Sequence, residues 1–139
     1  MTEFEHKVIT VKKTITSAQL KAIVATDVEI VAAPGAGKVI VPRSAIATMR
    51  VAATPVAYTW ANTDHDLVLG GMSIGGDTLA QALVESAVRL TKSFVPATGA
   101  TLAENAAAVL SAPGTGEPAT GTGELDIEFS YEIHDVVQL

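Results

Sequence analysis

Glu124-Leu125-Asp126-Ile127-Glu128-Phe129-Ser130-Tyr131-Glu132-Ile133-His134 alternates apolar and polar residues without a break. Successive side chains of a strand point to opposite sides, so a period of two marks a strand with one buried and one open face. Leu125, Ile127, Phe129, Tyr131 and Ile133 fall on the face that should pack on a core. Glu124, Asp126, Glu128, Ser130, Glu132 and His134 fall on the other, which should meet water or a basic neighbour. One-sided burial of this kind belongs to antiparallel sheets.

Working outward, residues 111–123 form a loop dense in Gly, Pro and Thr. Ala106 to Leu110 is ambiguous, because Ala favours helix while the length and nearby Gly suit a strand. Pro96-Ala97-Thr98-Gly99 reads as a turn after a strand over Ser86 to Val95. Asp77 is placed to cap a short helix over Thr78 to Leu83. Ala57 to Trp60 and Leu67 to Leu69 flank a polar segment, as a hairpin or a wide loop would. Lys38 to Ala53 is a long extended run, and Pro42 within it implies an edge strand or a bulge. Pro34 to Gly37 is a turn, and Val28 to Ala32 a short strand. Thr16 and Ser17 are fitted to cap a helix over Ala18 to Val24, and His6 to Thr14 reads as the first strand. These short strands, frequent turns and one or two short helices predict a mainly β chain, an antiparallel β-sandwich or jelly roll. No βαβ rhythm and no internal repeat is evident. At 139 residues the chain suits one domain, 1–139, which can bury a core without disulfides.

Composition narrows the function. Apolar residues make up 48% of the chain but aromatics only 4%, so the core should be built from small and β-branched side chains. Only 17% of residues are charged, which points to surface covered by partners. There is no Cys, which removes thiolate chemistry and Cys-based zinc sites. Nothing at the start reads as a secretory signal and no run approaches a membrane span, so the expectation is a chain made in the cytoplasm, with no membrane partner. Net charge is −6, all nine Lys and Arg lie between Lys7 and Lys92, and seven acids with no base follow from Glu104 onward. Nucleic acid is a poor partner for such a chain. The asymmetry is either a solvated acidic edge or head-to-tail complementarity between copies.

Three candidate chemistries fall short. Ala33-Pro34-Gly35-Ala36-Gly37-Lys38 resembles a phosphate loop, but Ala32 stands where the first Gly should be and Val39 where the magnesium-binding hydroxyl should be. Asp64-His65-Asp66, with Asn62 and Thr63, could converge on a cation in a loop, although polar loop tips are more often solvated. Asp126, Glu128 and Glu132 share a strand face on which residues two apart lie about 7 Å from each other, near the range of glycosidase carboxylates, yet one Trp and two Tyr supply little sugar platform. None of His6, His65 and His134 sits near a nucleophile elbow. The expectation is therefore a non-enzyme with no cofactor, no metal and no catalytic residue. Trp60 reads as a core anchor or, alternatively, as an interface anchor.

The run Ile15-Thr16-Ser17-Ala18-Gln19-Leu20, followed by Val31-Ala32-Ala33-Pro34-Gly35-Ala36-Gly37-Lys38-Val39-Ile40-Val41, resembles small virion structural proteins of tailed bacteriophages. The ending, a Gly/Thr-rich loop and then Gly123 to Ile133, is similar to theirs as well. The resemblance implies a capsid decoration (cement) protein or a head or tail fibre component. It implies a homo-oligomer, a trimer by the habit of decoration proteins, on the virion capsid surface with the major capsid protein as partner, and it brings no catalytic residues. The alternative role is a fibre or receptor-binding module whose loops, Asn62 to Asp66 and Gly114 to Gly123, contact a host sugar or protein. Met1 to Thr14 reads equally as an arm that docks by strand addition and as a frayed terminus with an ordinary first strand. The interface candidates are Phe4, Lys7, Ile9 and Val11 in this segment, Trp60, and Glu124, Asp126, Glu128 and Glu132 on the last strand.

Overall fold

The structure is a computed structural model. It describes residues 6–70, 72–73, 76–96 and 101–136, with only the backbone of 76–79. Eight strands and two helices follow in the order β1 (Ile9–Ile15), α1 (Ser17–Leu20), β2 (Val28–Val31), β3 (Lys38–Arg50), β4 (Val68–Leu69), β5 (Met72–Ser73), α2 (Gly76–Val84), β6 (Leu90–Phe94), β7 (Ala108–Ser111) and β8 (Glu124–Asp135). They build two four-stranded antiparallel sheets, ordered β1-β8-β3-β6 and β2-β7-β4-β5. The chain is mainly β, as expected.

The strand orders contain a rule. β1 pairs with β8, β2 with β7, β3 with β6 and β4 with β5. The chain therefore forms one long antiparallel ribbon folded at its middle. Bending that ribbon brings β8 beside β3 and β7 beside β4, which completes the two sheets. This winding is the eight-stranded jelly roll.

β8 lies inside the first sheet, between β1 and β3, and its alternation is realised. Leu125, Ile127, Phe129 and Tyr131 are buried, with Ile133 partly buried. They meet Ile15, Ala45, Ala47, Met49, Leu69, Leu110 and other residues in one continuous core. The small residues matter. Ala45 and Ala47 face inward on β3 opposite Phe129 and Ile127, so the large rings on β8 have room.

Pro42 sits at a bulge between Pro42 and Ser44. It is also locally at an edge, because β6 pairs with β3 only from Ala45 to Met49. Both sequence readings of Pro42 therefore hold. The bulge has a packing consequence: Ile40 and Pro42 are buried before it, Ala45, Ala47 and Met49 after it. The extra residue, Arg43, shifts the phase so that both halves of β3 present their apolar residues to the same core.

α1 is shorter than the expected Ala18 to Val24. Thr16 and Gln19 close a capping box, with Gln19 N donating to Thr16 Oγ1 at 3.2 Å and Thr16 N donating to Gln19 Oε1 at 2.9 Å. After Leu20 the chain tightens into three-residue turns, with Ala22 N bonded to Gln19 O and Ile23 N to Leu20 O. Leu20 and Ile23 are buried as the spacing required. α2 starts at Gly76, one residue ahead of the expected cap at Asp77, and buries Ala80, Leu83 and Val84. The sixth strand is only half as long as the Ser86 to Val95 run, and Ala108–Ser111 resolves its ambiguity as strand. Residues 97–99 of the expected Pro96 to Gly99 turn lie outside the described residues, as does Phe4. Among the described residues no helix is long and apolar enough to cross a membrane.

Candidate interaction face

The outer face of the first sheet carries the polar half of β8 and its neighbours. Register places Thr14, Asp126, Thr48 and Thr91 in one cross-strand row, and Lys12, Glu128, Ile46 and Ser93 in the next. Hydroxyls knit the rows: Thr14 Oγ1 donates to Asp126 Oδ1 at 2.7 Å, and Thr10–Ser130 and Thr48–Thr91 pair at 2.8 and 3.0 Å. Cross-strand pairs of this kind hold register as well as adding stability.

β3 supplies the bases that the acids of β8 require. Lys38 Nζ lies 2.8 Å from Asp135, Arg43 2.7 Å from Glu132, and Arg50 contacts both Asp126 and Glu124. The Arg50 guanidinium holds the Asp126 carboxyl below its ordinary pKa by hydrogen bonding, against the opposing effect of partial burial. Glu132 is likewise held low, first by its hydrogen bond from His134 and then by the charge of Arg43. His134 in turn stacks on His6, with ring centres 3.5 Å apart. Much of the acidic face thus meets basic residues of its own chain.

This changes the list of contact residues. Trp60 is corrected from interface candidate to core: it is 2% exposed, and its indole N–H donates to the Gly116 carbonyl at 3.0 Å. Glu132 is also corrected, since its side chain is 6% exposed and covered by Arg43 and His134. Ile9 and Val11 pack partly buried against the core, so they do not face outward as contact residues would. Glu124 and Asp126 are committed to Arg50, whereas Glu128 and Lys7 remain at the surface.

The sequence reading missed residues on the β6 side of this face. Ile46 projects outward from the middle of β3 at 40% exposure, and Val88 and Val95 flank β6 at 66% and 75%. A shallow groove of about 440 Å³ runs beside Ile46, bordered by Lys12, Thr48, Arg50, Arg89 and Glu128. The available signal was the phase of Ala45-Ile46-Ala47: once Ala45 faces the core, Ile46 must face out.

The remaining candidate motifs are structural in their contacts. In the loop at Ala33 to Lys38, Gly35 N donates to Asn105 Oδ1 and Gly37 N to Glu104 Oε1, so these amides are engaged within the chain. Gly35 and Gly37 have φ of 110° and 77°, the reason glycine stands there. Around Asp64-His65-Asp66, Asn62 Oδ1 accepts from the amides of Asp64 and His65, and Asp66 accepts from Ser73. His65 Nε2 lies 2.6 Å from the Trp60 carbonyl and 3.2 Å from the Asn62 amide, which holds the ring against the backbone of its own loop. Among the described residues no three His, Asp or Glu side chains gather as a metal site would need. Asn62 Nδ2 and the Thr63 amide bond to Gly116 O and Thr115 O, fastening this loop to the Gly/Pro/Thr-rich one.

Compared with known proteins, the chain matches no family model, no curated protein and no solved structure.

Proposed function

We propose that this chain is a non-catalytic structural subunit, a decoration protein of a tailed-bacteriophage capsid that binds the outer shell as a homo-oligomer, a trimer, and stabilises it. The observation that carries the reading is the open face of the β1-β8-β3-β6 sheet. It sets exposed Ile46 beside Lys12 and Arg89, which make no ion pair within 4 Å among the described residues, and a band of hydroxyls, with exposed Val88 and Val95 beyond the two ends of β6. An apolar centre with a polar rim is how contact surfaces are built. Two further observations support it: the jelly-roll winding is one that viral capsid domains use, and the sequence over 15–20, 31–41 and 123–133 resembles small virion proteins. Fold alone does not assign a role, so the weight rests on the face. The mechanism is mechanical. Each copy removes a modest area from water across a joint in the shell, and repetition multiplies the effect.

A fibre or receptor-binding role is the second reading. It is favoured by the fastening of residues 62–66 to the 111–123 loop, which makes one continuous loop surface. Mixing purified protein with empty expanded capsids and, separately, with host cells distinguishes the two. Saturable co-sedimentation with capsids is expected. Binding to cells with none to capsids would overturn the decoration reading.

A further inference from the structure

Two neighbouring surfaces, which meet at Lys13, carry charges of opposite sign that make no ion pair within the chain among the described residues. The groove beside Ile46 is bordered by four cations, Lys12, Lys13, Arg50 and Arg89, and two anions, Asp126 and Glu128. Without Lys13, which also borders the second surface, its formal balance is +1 (three minus two), on a chain of net charge −6. Among the described residues, Lys12, Lys13 and Arg89 make no ion pair within 4 Å. The second surface lies at the edge of the other sheet. β2 is the outermost strand there, and a hollow of about 410 Å³ runs between it and α1. Lys13, Ala18 and Ala22 line it, and Asp27 and Glu29 stand exposed at its rim, again without an ion pair, so that its formal balance is −1 (one minus two).

We infer that these two surfaces are partners between copies: the basic groove of one chain receives the Asp27–Glu29 edge of a second copy. The inference rests on the repeated-subunit reading above and identifies the surface through which copies meet. The argument is charge complementarity between Lys12 and Arg89 on one surface and Asp27 and Glu29 on the other, none of them in an ion pair within 4 Å among the described residues, each set beside an apolar patch, Ile46 on one side and Ala18 with Ala22 on the other. The patches differ, so the contact is head-to-tail, and such contacts close into a ring when the rotation between copies allows. The expected asymmetry between basic and acidic halves of the chain therefore takes a different form. Acids of β8 are largely neutralised by β3 of the same chain, and the carboxylates left for a neighbour are Asp27, just before β2, and Glu29 on it.

Sedimentation equilibrium of the full chain tests this, with circular dichroism to establish that each variant is folded. The wild type should self-associate and dissociate as salt rises, because exposed charge contacts are screened. Lys12→Glu with Arg89→Glu, and separately Asp27→Lys with Glu29→Lys, should each weaken association by roughly tenfold or more. An equimolar mixture of the two variants should associate again, since the acidic groove of one then meets the basic edge of the other. A monomeric wild type, unaltered association of either variant, or a mixture that stays dissociated overturns the inference. The salt titration of the wild type decides the matter if a variant fails to fold: association insensitive to salt overturns it. Capsid co-sedimentation of the same samples separates the two readings. A monomer that still binds capsids overturns the inference alone, and an oligomer that binds none overturns the decoration role alone.

Discussion

Asp126 stands where three strands meet: it accepts from Thr14 on β1 and from Arg50 on β3 while belonging to β8. Arg50 depresses its folded pKa, so the stabilisation is complete above the unfolded value, about 3.9. It is lost as pH falls through the depressed folded value. The wild type should therefore lose thermal stability progressively as the pH drops below about 4. Arg50→Met removes the main cause of the shift, so its stability should be lower at neutral pH and fall less on acidification. Thermal midpoints of both proteins between neutral pH and strong acid check this; parallel profiles would sink it. The identity of Asp126 as an outward residue was legible from alternation alone. Its partner was not, because 76 positions separate it from Arg50.

β3 shows what an element needs beyond propensity. Thirteen residues long, it must keep apolar side chains on one side through a region where the apolar spacing breaks. Arg43 at the bulge absorbs the break. Deleting Arg43 should therefore put one half of β3 out of phase with the core and abolish cooperative folding, whereas Arg43→Ala keeps the phase and removes only the contact with Glu132. Thermal unfolding followed by far-ultraviolet circular dichroism distinguishes them: a deletion variant that unfolds like Arg43→Ala would refute the role given to the bulge. Pro42 announced this feature in the sequence, since a proline amide cannot join a ladder. The outward turn of Ile46 followed from the same phase but had no signal in hydrophobicity. There, two alanines are buried and the isoleucine between them is exposed, because the space opposite is already filled by Phe129 and Ile127.

At the scale of the whole molecule, one continuous core joins both sheets and both helices. Trp60 lies in it, bonded through its amide to Glu85 after α2 and through its indole to Gly116. Its fluorescence should therefore report the same transition as the far-ultraviolet signal of the sheets. Leu110→Ala, at a fully buried site on β7, should lower stability by about 2–5 kcal/mol by both probes. Transitions that separate between the two probes would show that the sheets unfold independently.

The sequence by itself determined the class of structure and its best strand, because a period of two needs no information from elsewhere in the chain. It also determined the turn at Pro34 to Gly37, the helix cap at Thr16, and the break at Pro42, all local chemistry. Only the tertiary structure decided the winding, since which strands pair depends on how the ribbon folds back on itself. It alone also decided the contact face. Whether a charge is spent within the chain or left for a neighbour is a matter of distances between residues far apart in sequence. Arg50 and Asp126 neutralise each other, while Lys12, Arg89, Asp27 and Glu29 remain available.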